Sequence, residues 1–382
     1  MESPNIRPDY KHSIVNLTSA LAGKMGIDSI CKGLEESSLY DIEESSTILF
    51  IIIDGLGYNY LLRHGSGLWL RDHLVSSMSS VFPPSTGSAM TSFYTATTPL
   101  QHGITGWFVY LKDLGVVSRF LPFSTLVNEK PMQTDVAPFV GAEPWLGKIQ
   151  KRSIFLGPQR IINSSYSRFV SSGCTRIGYH SLQELFGNAR DLAIHAHENQ
   201  FMFVYWPELD ATGHDEGIES EAAINHLTTL DKNLEKLAKE VPNNVRIIIT
   251  SDHGIVDVEQ ENTVKLANHP ELKKTLIAPV CGDTRTCYFY VRPNKVDAFQ
   301  SYMNDHLAHA CTMYQTSQLV DMGWFGPGEP SNKFDTRAGD FVALMKEGYA
   351  LLNDFPGEEY PELVGQHGGL SEDEMLVPLV IH

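Results

Sequence analysis

"TILFIIIDGLG", residues 47–57, is the stretch on which the fold turns. Ile48 to Ile53 form an apolar run with no polar alternation, the pattern of a strand buried on both faces of a sheet. The run stops on Asp54, and Gly55-Leu56-Gly57 then permit a sharp turn. In an open parallel sheet, the carboxyl ends of the strands form the edge where ligands bind. A single aspartate at such an edge reads more simply as a turn or helix cap.

Recurrence favours a site. "FMFVYWPELD" (201–210) is a second apolar run leading to a carboxylate, Asp210, and "VRIIITSDHG" (245–254) is a third, leading to Asp252 and His253. Between them Ile224, Leu227, Leu230, Leu234, Leu237 and Val241 recur every three or four residues, as one buried helical face requires. Strand, helix, strand is a parallel crossover, so both strand ends meet one edge. "SIFLG" (153–157) and the helical pattern of 182–197 continue the alternation upstream. The pattern predicts an α/β fold with a mostly parallel central sheet flanked by helices, and with acids and a histidine along one rim.

Composition limits what that rim holds. The 382 residues, 42% of them hydrophobic, can bury a large core in one big domain or two. The longest apolar run is well short of a membrane span, and "MESPNIRPDYKHS" lacks the basic and apolar regions of a signal peptide. A soluble cytoplasmic protein is therefore expected. The cysteines form no C-x-x-C pair and read as reduced and structural. A formal net charge of -17 disfavours a nucleic-acid polymer or a membrane as partner. An anionic small-molecule substrate then needs local positive charge, which bound metal ions can supply.

The ligand chemistry follows from spacing. Asp210 and His214 stand at i and i+4 in "LDATGHDEG", close enough to share one ion if the segment is helical. Asp252 and His253 are adjacent, so they share a site only if their strand ends there, and Gly254 is consistent with that. His367 adds a Gly-flanked histidine in "GQHGGL". Oxygen and imidazole donors without thiolates suit zinc, with manganese the alternative, and Asp54, Asp210, His214, Asp252, His253 and His367 suffice for two ions. "SVFPPSTGSAMTSFYTATTPLQHG" (80–103) places two prolines before a helix predicted to begin at Ser85 or Thr86. A hydroxyl in that first turn lies in the positive field of the helix N-terminus, and metal coordination would make it a nucleophile. Ser85 is the expected cap, which makes Thr86 the better nucleophile and leaves Ser85 and Ser88 open.

In this order the pieces resemble the alkaline phosphatase superfamily, and most closely its type I phosphodiesterase/nucleotide pyrophosphatase branch. The matching segments are "IIIDGLG", "VFPPSTGS…PLQHGITG", "ELDATGHDEG", "TSDHGI" and "GQHGGL", between residues 48 and 370. The resemblance implies two zinc ions per chain, one held by Asp210, His214 and His367 and the other by Asp54, Asp252 and His253. Thr86 would then attack phosphorus from beside the second and become a phospho-threonine. Two departures concern the substrate. The branch usually has an asparagine shortly after its "HGI", where Trp107 stands here, and often another where Ala89 stands. No Cys-or-Ser-x-Pro-x-Arg sulfatase signature is present.

The expected organisation is a metal-binding α/β core over 1–262, an inserted α+β cap over 263–344 and a completion of the core over 345–382. Within the cap "TRTCYFYVRP" reads as a strand, "NKVDAFQSYMNDHL" as a helix, and 340–352 as one or two strands leading back to the core. Arg285 and Arg292 are its candidate phosphate contacts, while Trp107, Phe108 and Tyr110, in a separate aromatic-rich insertion (106–123) near the nucleophile, are expected to pack against the substrate's ester group. The function expected is a di-metal phosphoryl hydrolase acting on small phosphodiesters or nucleotide pyrophosphates. The alternatives are a phosphomonoesterase, a phosphonate hydrolase, or a catalytically silent metal-binding regulatory protein.

Overall fold

The computed structural model describes residues 6–28, 31–39, 42, 45, 47–353 and 363–382. The first five residues of the amino-terminal stretch, and 354–362 in the expected core completion, lie outside the described residues. The central sheet has seven strands: β1 (Thr47–Ile53), β2 (Leu74–Ser79), β3 (Arg152–Pro158), β4 (Thr175–Tyr179), β5 (Gln200–Trp206), β6 (Val245–Thr250) and β7 (Leu376–Ile381). Their order is β2-β7-β6-β1-β5-β3-β4. The pairs from β6 across to β4 are all parallel, and only β7 runs against its neighbours.

The unbroken apolar runs have the cause expected of them. All seven residues of β1 are buried, and alternate ones enter different cores. Ile48, Phe50 and Ile52 pack on one face with Phe201, Phe203 and helix α1 (Thr86–Thr95). Leu49, Ile51 and Ile53 pack on the other with α2 (Leu182–Ile194), α3 (Glu208–Glu216) and α4 (Glu221–Glu240). Helix α4 starts at Ser220, whose hydroxyl accepts the Ala223 N–H, and buries Leu227, Leu230, Leu234 and Leu237. Each such leucine contributes roughly 1.5–3 kcal/mol by leaving water, so the crossover is anchored by its stripe. No helix among the described residues is long and apolar enough to cross a membrane.

A second seven-stranded sheet is antiparallel throughout, in the order 311–315, 341–345, 286–289, 281–282, 108–111, 116–119, 124–125. The aromatic-rich insertion and the segment after residue 280 are therefore one sheet, joined where Gly282 pairs with Phe108. Segment 340–352 forms two strands, as expected, before the chain returns to the core at His367. Phe341–Met345 lies inside the second sheet, and Ala350–Leu352 pairs with Thr263–Lys265. Val342 and Leu344 fill one core of that sheet while Phe341, Ala343 and Met345 fill another. A run buried on both faces does not reveal which sheet buries it.

Candidate active site

Strands β5, β1 and β6 lie side by side with their carboxyl ends at one edge, which brings Asp210, Asp54 and the Asp252-His253 pair together. The glycines after Asp54 make the approach feasible. Gly55 has φ +77°, and a Cβ there would stand 3.0 Å from the Cα of Asp210. A Cβ on Gly254 would stand 2.8 Å from the Cα of Gly57. The two turns are also hydrogen-bonded: the Gly55 N–H donates to Asp252 Oδ1 (3.3 Å) and the Leu56 N–H to Ser251 Oγ (3.0 Å).

Asp210 and His214 lie on α3, one turn apart, with Oδ2 and Nε2 at 3.3 Å. The Gly365 carbonyl, 2.7 Å from His214 Nδ1, turns Nε2 towards the site. His367 returns through a short ladder in which Val256-Asp257 pairs with Gly365-Gln366, and its ring stacks on His253 at 3.9 Å. The donor atoms of Asp210, His214 and His367 lie within 4.8 Å of one another, as do those of Asp54, Asp210 and His253. Asp210 belongs to both groups. Asp252 adjoins the second, its Oδ2 3.3 Å from His253 Nε2. The six residues read from sequence thus converge.

The donors fit cations. Asp54 Oδ1, Asp210 Oδ1, Asp252 Oδ2 and His367 Nδ1 are buried with no hydrogen-bond partner, a costly state for polar atoms. Burial, then the neighbouring Asp252 and Asp210, holds the Asp54 carboxyl well above the usual carboxylate range. Burial pushes Asp252 up and His367 well down. Burial opposes the Asp210–His214 ion pair too, yet their mutual attraction wins, lowering Asp210 and raising His214 to about 9. Crowded carboxylates beside imidazoles, with lone pairs unused, are what divalent ions relieve.

Thr86 opens α1, and its Oγ1 lies 3.1 Å from His253 Nε2. Ser85 is the N-cap residue but makes no side-chain capping bond, and Ser88 donates to the carbonyls of Pro83 and Ser85. Of the three hydroxyls left open by sequence, Thr86 is the one beside a metal-type donor. It lines two adjoining cavities of about 390 and 280 Å³, which share Thr86, Trp107, Asp210, His214 and Leu363. The larger is walled by Met90, Tyr94, Phe155 and Tyr166. Trp107 and Phe108 are at the site as expected, whereas Tyr110 packs against Tyr290 at 5.0 Å.

Arg285 corrects the sequence reading. Its guanidinium grips Glu374 bidentately (2.6 and 2.9 Å), donates to the carbonyls of Tyr349 and Lys346, and lines neither cavity. Glu374 in turn accepts from the Gly369 N–H (2.7 Å) and from Ser371 Oγ (2.6 Å). The pair braces the loop that carries His367. Arg292 is exposed and also lines neither cavity. Arg285→Ala would leave Glu374 buried without its cation, a loss of about 3–5 kcal/mol. The expected outcome in thermal melts is a large fall in Tm. A loss confined to monoester turnover, with Tm intact, would restore Arg285 as a phosphate contact.

Two groups escaped the sequence reading. Tyr205 donates to Asp54 Oδ2 at 2.5 Å and orients it. A tyrosine in an otherwise apolar strand was the available signal. The run Asp283-Thr284-Arg285-Thr286 was the other: Thr284 Oγ1 donates to Gln366 Oε1 and Thr286 Oγ1 to the Gly368 carbonyl, on either side of His367.

The comparisons with known proteins bear on this geometry. The sequence model of the type I phosphodiesterase/nucleotide pyrophosphatase family matches residues 48–370. A bis(5'-adenosyl)-triphosphatase, enpp4 of Xenopus laevis, is 27% identical over 144 residues, which is 32% of this chain and 32% of that protein. The match thus spans about a third of that relative's length. Murine ectonucleotide pyrophosphatase/phosphodiesterase 5 has a similar fold, with TM-score 0.67 and 19% identity over 88% of this chain and 87% of its own. Its inactive Thr→Ala variant in complex with AMP gives 0.66 and 20% over the same shares. Phosphonoacetate hydrolase of Sinorhizobium meliloti 1021, with phosphonoacetate, gives 0.66 and 14% over 88% and 90%. The chain belongs to the type I phosphodiesterase/nucleotide pyrophosphatase family.

Proposed function

We propose that the chain hydrolyses small phosphodiesters or nucleotide pyrophosphates by transferring the phosphoryl group through Thr86. The observation that carries this reading is the Thr86 hydroxyl at the amino end of α1, 3.1 Å from His253 and inside the double donor cluster. Asp210, His214 and His367 would hold one metal ion; Asp54, His253 and Asp252, with Asp210 adjacent, would hold the other. Zinc is the metal this donor set suits best, and manganese the next. Such ions, when bound, lower the pKa of a coordinated hydroxyl and offset charge on the phosphoryl oxygens.

The chain's own residues supply the rest. The Thr86 oxygen would attack phosphorus as the bond to the leaving group breaks, and water would later cleave the phospho-threonine. Backbone N–H groups in the first turn of α1 would be available to hold the developing anion. The aromatic walls of the larger cavity suit a bulky ester or nucleoside group. Diesters are favoured over monoesters because, among the described residues, Arg160 is the one Lys or Arg lining either cavity, and it is paired with Glu208 at 2.6 Å. An additional anionic oxygen finds no side-chain cation.

The test is a panel of nitrophenyl phosphate diesters, the monoester and a phosphonate, using protein whose metal content is known. Diester kcat/KM should exceed that for the monoester, with about two zinc or manganese ions per active chain. Full activity at one ion per chain would sink the two-metal reading. Phosphonate turnover without diester turnover would move the assignment to a phosphonate hydrolase.

A further inference from the structure

Asp283 is the one member of the run 283–286 whose side chain does not brace the His367 loop. It is instead a half-buried residue lining the same cavity as Thr86, Trp107, Asp210, His214 and His367. Its Oδ1 accepts a long bond from the Trp107 N–H (3.4 Å), and its Oδ2 has no hydrogen-bond partner. Ser85 Oγ, at the cap of α1, is buried beside that carboxyl and favours its charged form.

Its place near the first turn of α1 follows from close backbone contacts. A Cβ on Gly87, next to Thr86, would stand 2.3 Å from the Gly106 carbonyl oxygen. A Cβ on Gly106 would stand 2.6 Å from Asp283 Oδ2, and its φ of +154° also favours glycine. The first turn of α1, Gly106 and the Asp283 carboxylate are therefore stacked in sequence. Burial pushes the Asp283 carboxyl up to about 6, which still leaves it largely ionised at neutral pH.

We propose that Asp283 is a specificity-determining residue, an acceptor-only carboxylate that selects against the dianionic monoester and for the monoanionic diester. This rests on the phosphoryl-transfer reading above and adds to it a repulsive element. Lack of a cation merely fails to reward the additional oxygen; a carboxylate penalises it. A unit charge a few ångström from an anionic oxygen is worth about tenfold or more in a partly desolvated site.

Asp283→Asn removes the charge while keeping the shape. The monoester-to-diester ratio of kcat/KM should rise about tenfold, with diester turnover within about threefold of wild type and metal content unchanged. In metal-loaded Thr86→Ala protein, adding Asp283→Asn should tighten inorganic phosphate by a similar factor, read by calorimetry without turnover. That second arm separates the two readings: a Thr86→Ala protein that still turns over diesters refutes the nucleophile, not the charge. If Asp283 only supports the cap of α1, Asp283→Asn will lower Tm and slow both substrates alike. An unchanged ratio together with unchanged phosphate affinity overturns the proposal. Should Asp283→Asn fail to fold, Asp283→Ser removes the same charge and reads the same ratio.

Discussion

Thr86→Ala is expected to reduce steady turnover by about four orders of magnitude or more while leaving the bound metal at its wild-type level. The six Asp and His donors do not depend on the hydroxyl, so loss of metal is not the cause to be expected. What disappears is the atom that forms the covalent bond. Thr86→Ser should keep part of the activity, because Oγ remains and only a methyl group is lost. That loss matters, since Thr86 is nearly buried and a serine in its place has more freedom of rotation. Ser85→Ala tests the register. Ser85 Oγ makes no capping bond, so its removal should leave most of the activity. A dead Ser85→Ala beside an active Thr86→Ala would put the nucleophile one residue earlier. Rapid quench with labelled substrate should trap phosphate on Thr86, and its absence under burst conditions would count against the covalent route.

The site was legible in sequence to the extent that its residues sit where apolar runs end. Asp54 directly follows one strand and Asp252-His253 follow another after Ser251, and the seven or six residues of these strands are nearly all buried, so the position on the rim was implied by the runs themselves. Asp210 and His214 needed only a helical turn, and α3 supplies it. Arg285 was misread for a physical reason. A basic residue at the start of a strand near the site looks like an anion contact, and nothing local announces Glu374, which lies 89 positions away and takes the guanidinium. The same non-locality hid the second sheet, because antiparallel pairing of Phe108 with Gly282 joins segments that share no pattern. Asp283 was hidden for a third reason: its relevance depends on Gly87 and Gly106 approaching more closely than any residue with a Cβ allows. Periodicity reports which residues face a core. It does not report which polar side chains find partners.

Asp54→Asn and Asp210→Asn should both cost metal affinity by more than the 10–100-fold typical of an outer-shell partner, and activity with it. They should nevertheless move the stability of metal-free protein in opposite directions. Burial, Asp252 and Asp210 raise the Asp54 carboxyl, so its stabilising contribution is present below its unfolded pKa and lost as pH rises through the folded one. At pH 7 Asp54 therefore works against the metal-free fold. An amide removes that repulsion and still accepts the Tyr205 hydroxyl. Asp210 is the reverse. Burial opposes its charge, but His214 more than offsets this, so the folded pKa is depressed and the contribution is present above the unfolded value. At pH 7 Asp210→Asn forfeits an ion pair with a histidine raised to about 9. With chelator present, Tm should rise on the order of 2 °C for Asp54→Asn and fall by a similar amount for Asp210→Asn, the gap narrowing as pH drops towards 4. Saturating metal should then stabilise wild type by more than either variant, since ligands that bind only the folded chain raise its stability. If Asp54→Asn instead lowers Tm in chelator, the carboxylates of the metal-free protein do not repel as their burial implies, and the electrostatic case for a cation at that position fails with it.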